Sequence, residues 1–293
     1  VSAGALGWRP RRHRPSGVTP LEVWNLPVLG HELWELLGAP RLDVARQEGL
    51  PEEHLASILM PPLASALETL VHSHAVDAVW LSGGLACLQD FAPRLAEATS
   101  RLGVPVHVAQ EPRLAPVLAG LRMLTRAGST RPLALDVGQT SIKRMSATTS
   151  EVFERDLSLL PRLFIGMPRP ADGRHIVAAV RFIASALRAT AKTGPDDAPD
   201  ALCLALPSPL DDALVPGGCT YGWEGHASLV EDILTEARLA SSHDGEVLVL
   251  NDAELAAEAA RGDSRLLSCR RILCLTLGFG PGGALLDRSR ATP

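Results

Sequence analysis

The sequence predicts a layered α/β protein divided into two lobes. Short, strongly apolar runs alternate with segments whose apolar residues recur at helical spacing, which is the pattern of sheets covered by helices. Several of those runs end abruptly in glycine or polar residues, as buried strands do where they surface. The length, 293 residues, is enough for two packed lobes.

Residues 1–20 are rich in Gly, Arg and Pro and read as irregular, with Arg9, Arg11, Arg12 and Arg14 forming a solvated arm. Over 55–74, Leu55, Ile58, Leu59, Leu63, Leu67, Leu70 and Val71 keep helical spacing. Pro61 and Pro62 predict a kink or a fresh helix start inside that run. A buried strand follows over 76–81 and runs into Ser82-Gly83-Gly84. Next come a helix over 91–102, a strand over 104–108 and a helix over 116–126.

A second section opens at Arg131. A strand at 133–136 turns through Val137-Gly138-Gln139-Thr140 into a strand over 141–146, with antiparallel pairing expected to about Phe164. A helix is expected over 176–191, a polar turn at 193–199 and a strand over 201–206 that ends in Pro207-Ser208-Pro209. A helix over 229–239 precedes the strand 247–250, which delivers Asn251 and Asp252 to an Ala/Glu-rich helix over 253–261. The last strand, 272–277, opens onto Gly278-Phe279-Gly280-Pro281-Gly282-Gly283. The chain shows no tandem repeat.

Apolar residues at 46% and charged residues at 21% are ordinary for a globular protein. The net charge of −5 argues against a non-specific nucleic-acid binder. Five cysteines without a paired framework suit a reducing compartment, so a cytoplasmic location is expected. No run of consecutive apolar residues reaches membrane-spanning length, and no secretory h-region is evident. Val1 in place of an initiator methionine marks a processed, trimmed or partial chain.

Four strand ends carry the candidate chemistry. In Asp136-Val-Gly138-Gln-Thr140-Ser-Ile-Lys143, a glycine turn admits phosphate oxygens to backbone amides and the Thr140 hydroxyl, and the Asp136 carboxylate can hold Mg²⁺. Alone, such a turn is most simply a hairpin. Gly278, Gly280 and Gly282 allow a second phosphate approach, although Pro281 removes one donor and the spacing is not a Rossmann fingerprint. Gly83 and Gly84 offer a flat backbone for a base and ribose. Asp252 is either a helix N-cap or a general base acting on a substrate hydroxyl.

Taken together and in order, these segments resemble the phosphate-1, phosphate-2, adenosine and Asn-Asp motifs of the ROK (repressor, open reading frame, kinase) sugar kinases. That family belongs to the actin, hexokinase and heat-shock-chaperone ATPase superfamily. The stretch 204–211, with Pro207 and Asp211, resembles the family's Gly-x-Pro-Gly-Pro-x-Asp segment, and Gly222-Trp223 its Gly-Trp. The family's late helix, strand and adenosine motif lie first here, over 63–86, and its closing helix over 114–127. The resemblance therefore implies a circularly permuted, actin-like ATPase fold: two ribonuclease-H-like lobes with a cleft between them. The expected lobes are 131–262 (phosphate-1 and substrate) and 1–130 plus 263–293 (phosphate-2 and adenosine).

The resemblance also implies roles. Asp252 is the base and Asp136 the Mg²⁺ holder. Gly138, Thr140, Gly278, Gly280, Gly282, Gly83 and Gly84 serve ATP, while Asn251, Pro207 and Asp211 serve the acceptor. The expected function is ATP-dependent transfer to a hydroxyl of a sugar or similar small metabolite, with ATP and Mg²⁺ as cofactors. Neither nucleic acid nor membrane is expected as a partner, and a homodimer is left open. Three departures stand out. Phe279 replaces a small hydroxyl residue, the Glu-x-Gly-His sugar clamp has no proper match, and the cysteine-rich zinc signature is missing. They keep two alternatives in view: a non-catalytic nucleotide or sugar sensor, and a kinase of a non-sugar alcohol or carboxylate.

Overall fold

The structure, a computed structural model, describes residues 7–164, 167–188, 198–238 and 245–290. The expected helix and loop segments at 189–197 and residue 239 lie outside these residues. In chain order the strands and helices are β1 (Trp8–Arg12), β2 (Val18–Leu21), β3 (Pro27–Val28), β4 (His31–Glu32), α1 (Leu33–Leu36), α2 (Ala39–Gln47), α3 (Leu55–His74), β5 (Ala78–Ser82), α4 (Phe91–Ala98), β6 (Val106–Val108) and α5 (Ala115–Arg126). There follow β7 (Pro132–Val137), β8 (Ser141–Ser146), β9 (Ser150–Glu154), α6 (Arg174–Arg188), β10 (Ala201–Leu206), α7 (Leu229–Ala237), β11 (Gly245–Asn251), α8 (Asp252–Arg261), β12 (Arg271–Leu277) and β13 (Pro281–Asp287).

The protein is mixed α/β, and its chain divides into two discontinuous units. Unit 1 comprises 1–13 and 117–252, and unit 2 comprises 14–116 and 253–293. These boundaries differ from the expected ones at three places. Residues 7–13 and 117–130 belong with the first sheet, and α8 from Ala253 onward belongs with the second. The reason at the amino end is pairing, because β1 runs parallel to β11 from Trp8↔Gly245 to Arg12↔Val249. The reason for α8 is packing. Ala253, Ala256, Ala257 and Ala260 bury against Trp80, Ile272, Cys274 and Leu286 of the second sheet.

Unit 1 holds a six-stranded sheet in the order β1-β11-β10-β7-β8-β9. Its first four strands are parallel, and β7-β8-β9 form an antiparallel meander. One face packs on α6 and α7: Leu133, Leu135, Leu204 and Val249 meet Ile183, Ala184, Ile233 and Leu234. Unit 2 holds a five-stranded sheet in the order β2-β13-β12-β5-β6. There β12 pairs antiparallel with β13 and parallel with β5, and β13 pairs antiparallel with β2. This second sheet is drawn from both ends of the sequence.

The irregular reading of residues 1–20 is corrected by β1 and β2. Each is the outermost strand of its sheet and each contains a proline, Pro10 or Pro20. An edge strand has one row of N–H groups without a ladder partner, so a proline costs it little and also discourages pairing with another chain. The arginine-rich arm is thus part of a sheet, and Arg11 pairs with Glu246 of β11. Trp8 fixes the register: a side chain at Gly245 would overlap its ring.

Helix α3 runs unbroken through Pro61 and Pro62, so the expected fresh helix start is not present. Each proline removes an N–H from the ladder. The loss is offset by burial of Leu55, Leu59, Leu63 and Leu67, all fully excluded from solvent, and truncating any one to Ala costs about 2–5 kcal/mol. By length and composition the 52–74 helical segment is also apolar enough to cross a membrane, yet half of its most apolar window is buried within the protein. It is the central core helix of unit 2.

Candidate functional site

Asp136 is the penultimate residue of β7, and Lys143 sits directly opposite it on β8. Cross-strand partners in an antiparallel pair share a face, so a carboxylate and an ammonium at these positions meet. Lys143 Nζ lies 3.3 Å from Asp136 Oδ2, with the two side chains 13% and 8% exposed. The connecting turn is closed by Gly138 N–H donating to the Ser141 carbonyl at 2.9 Å. Glycine at 138 leaves room for this pairing: a Cβ there would lie 2.8 Å from Lys143 Nζ, the end of a flexible side chain that would have to move aside, and 3.0 Å from the Ser141 oxygen.

Thr140 stands at the same turn, half-buried, with its backbone carbonyl accepting the Arg155 N–H at 2.9 Å. The hairpin therefore gathers Asp136, Gly138 and Thr140, together with Lys143. Among the described residues there is no group of three or more His, Cys, Asp or Glu side chains that would cage a metal. One carboxylate fits a Mg²⁺ that arrives with phosphate oxygens and keeps most of its waters, which is that ion's usual mode.

Several residues holding this turn were not marked by the sequence. Arg155, just beyond β9, donates to five oxygens: Leu160 O (2.9 Å), Gln139 O (3.0 Å), Thr220 Oγ1 (2.8 Å), Pro161 O (2.7 Å) and Thr220 O (2.9 Å). Burial pulls its guanidinium below the usual arginine range. Its plane lies over Tyr221, 4.0 Å from the ring centroid, and Tyr221 stacks on Trp223 at 4.5 Å and 9°. The Tyr221 hydroxyl donates to the Gly138 carbonyl at 2.9 Å, and Thr220 N–H donates to Gln139 Oε1 at 3.1 Å. The one available sequence signal was that Tyr221 is the sole tyrosine of the chain, two residues before the marked Trp223.

The ends of β10 and β11 lie beside the end of β7 in the same sheet, since Ala205 pairs with Asp136 and Leu206 with Asn251. Asp136, Pro207 and Asn251 thus occupy the carboxyl ends of three adjacent parallel strands, the customary ligand edge of such sheets. Asn251 Nδ2 donates to Leu206 O (3.3 Å) and Ser208 O (3.0 Å), which ties the Pro207-Ser208 bend to β11. Trp223 Nε1 donates to Ser208 Oγ at 3.3 Å. Asp252 opens α8 and is half-buried. Asp211 is exposed, and its Oδ1 accepts the Val215 N–H at 2.8 Å, closing its own loop.

In unit 2 the two remaining glycine turns are neighbours through the β5–β12 ladder, with Ser82 opposite Thr276. Gly83 has φ +100°, and a Cβ there would lie 2.3 Å from the Leu277 carbonyl oxygen, so no other residue fits. Gly282 is likewise crowded, by Thr276 Oγ1 at 2.5 Å. By contrast, nothing stands within 4 Å of a Cβ at Gly84 or Gly278, and only Trp34 Cβ (3.9 Å) approaches one at Gly280. At these three positions the fold itself makes no demand for glycine. Phe279 is 9% exposed, and its carbonyl and that of Gly278 both accept the Ala39 N–H at 3.2 Å.

A surface cavity of about 560 Å³ in unit 1, lined in part by Arg11, Arg12, Asp212 and Glu231, contains none of the marked residues. No protein-family model and no curated protein sequence matches the chain.

Proposed function

We propose that the protein is an ATP-dependent phosphotransferase acting on a hydroxyl of a sugar or similar small metabolite, on a circularly permuted actin-like ATPase fold of the ROK type. The observation that carries the reading is the β7–β8 hairpin. It offers a glycine turn with a paired carboxylate and ammonium at the carboxyl edge of parallel strands. A phosphate chain needs this combination of backbone donors, positive charge and a metal-holding carboxylate.

The permuted fold is supported by topology. The first sheet's antiparallel meander, β7-β8-β9, is followed in the chain by α6, β10, α7, β11 and α8. With the chain ends joined, the second sheet's meander β12-β13-β2 is followed in the chain by α3, β5, α4, β6 and α5, with β1, a strand of the first sheet, between β13 and β2 and the small hairpin and two helices inserted after β2. Two repeats of one ribonuclease-H-like plan are what the resemblance requires.

In this reading Asp136 would hold Mg²⁺, and Lys143, now paired with the carboxylate, would supply positive charge to the phosphates. Mg²⁺ would offset the charge on the transferring phosphoryl oxygens. By the resemblance, Gly138 and Thr140 would serve the phosphates, and Gly278, Gly280, Gly282, Gly83 and Gly84 the nucleotide. Asp252 takes the acceptor's proton, and Asn251 fixes the Pro207-Ser208 bend on which the acceptor rests. Titration calorimetry with Mg²⁺–ATP, followed by an ATP-consumption screen across sugars, alcohols and carboxylates, tests this. Absence of Mg²⁺–ATP binding defeats the reading.

The alternative is a sensor that binds nucleotide without transfer. It is favoured by the phosphate-2 turn, where Phe279 fills the place of a small hydroxyl residue and both carbonyls are capped by Ala39. Binding with no turnover for any acceptor selects it.

A further inference from the structure

We infer that Tyr221 is a positioning residue whose hydroxyl, together with Arg155, aims two successive backbone donors of the 138–140 turn at a phosphate. The inference rests on the nucleotide-binding reading above. A trans peptide is planar, so its C=O and the next N–H point in opposite directions. Tyr221 pins the Gly138 carbonyl and Arg155 pins the Gln139 carbonyl, both from the side of the Arg155–Tyr221–Trp223 stack. The N–H groups of Gln139 and Thr140 are thereby turned the other way.

Among the described residues neither of these N–H groups makes a hydrogen bond. Two adjacent amides, open and held in one direction, form the kind of concave donor pair that receives anions. The holding side is rigid by construction. Tyr221 is fully buried, burial raises its hydroxyl above the usual tyrosine range, and it stays a proton donor throughout the working pH range. The Gln139 side chain adds a third tie by accepting the Thr220 N–H. A carbonyl released from this clamp is free to rotate, and the donor on the same peptide rotates with it.

The test compares wild type with Tyr221→Phe, which keeps both ring stacks and removes one O–H. The probes are Mg²⁺ with the non-hydrolysable ATP analogue AMPPNP, and adenosine, each by titration calorimetry. The expected result is AMPPNP binding about five- to tenfold weaker, the usual scale for one lost hydrogen bond, with adenosine binding unchanged. Hydrogen exchange of the Gly138 amide, which closes the turn onto the Ser141 carbonyl, measured without nucleotide, is expected to speed up. Gln139→Ala, which leaves the buried stack untouched, provides the same comparison if Tyr221→Phe does not fold, and is expected to shift both readouts the same way. Unchanged AMPPNP affinity in a folded variant overturns the inference while leaving the nucleotide reading intact. If wild type binds no nucleotide, the reading fails, and unchanged exchange at the Gly138 amide separately overturns the positioning role.

Discussion

Lys143 faces Asp136 squarely across the β7–β8 ladder, its ammonium 3.3 Å from the carboxylate. Both side chains are nearly removed from water, so each depends on the other. Lys143→Met leaves a buried carboxylate unpaired and is expected to cost roughly 3 kcal/mol in denaturant unfolding. The double variant Asp136→Asn with Lys143→Met should cost less than the sum of the singles. Additive losses would mean that the pair is screened and contributes little.

The glycines of unit 2 separate structural from functional need. Gly83→Ala is expected to destabilise by about 3 kcal/mol or more, because both its φ and the Leu277 backbone oppose a side chain. Gly278→Ala and Gly280→Ala are expected to change stability by no more than about 1 kcal/mol. If the phosphate-2 role is correct, the same two variants weaken Mg²⁺–ATP binding at least about tenfold by crowding the phosphates. Calorimetry showing wild-type affinity in both would remove that turn from the site.

Asp252→Ala is expected to abolish phosphotransfer while leaving Mg²⁺–ATP affinity within about twofold of wild type, since a general base acts on the acceptor and not on the nucleotide. A coupled assay that finds unchanged turnover would return Asp252 to the plain role of starting α8.

Acid sensitivity should concentrate at Asp200. It accepts from Ser129 Oγ, Thr130 N–H and Oγ1 (2.9 and 2.8 Å) and Arg131 N–H (3.2 Å). Together these bonds outweigh the opposing effect of burial, the largest single influence, and hold its pKa down to about 2. A depressed folded-state pKa gives stability that is present above the unfolded value, near 4, and is lost as pH falls through about 2. Asp200 is half-buried and still partly screened by solvent, so the contribution is on the order of 1 kcal/mol. Thermal melts between pH 5 and 2 should show this loss in wild type and not in Asp200→Asn. An equal slope in both would discard the assignment.

The strand ends at Asp136, Ser82, Leu206, Asn251 and Leu277 were legible because a buried strand needs apolar residues throughout and a turn needs glycine or a polar side chain. The Asp136–Gly138–Thr140 hairpin was legible for the same reason. The clamp was not. Arg155 and Tyr221 are far apart in sequence, and nothing in the spacing around either residue reveals that they stack. The edge strands β1 and β2 were hidden by the prolines and arginines that suit an edge. The unbroken run of α3 was hidden because burial of its leucines, a tertiary effect, outweighs the local penalty at Pro61 and Pro62.

Because β5 finds its partner β12 only much later in the chain, the ribosome delivers one side of the unit 2 sheet long before the other. Until residues 271–287 emerge, β5 has a bare flank and the leucines of α3 have half a core to cover them. Such a half-built layer is sticky. Unit 1 waits less, since β7 through β11 arrive in succession and only β1 must be held in reserve. Newly made chains should therefore complete the middle of the sequence first, and a premature stop before β12 should send the product to chaperones or aggregates rather than to a smaller working protein.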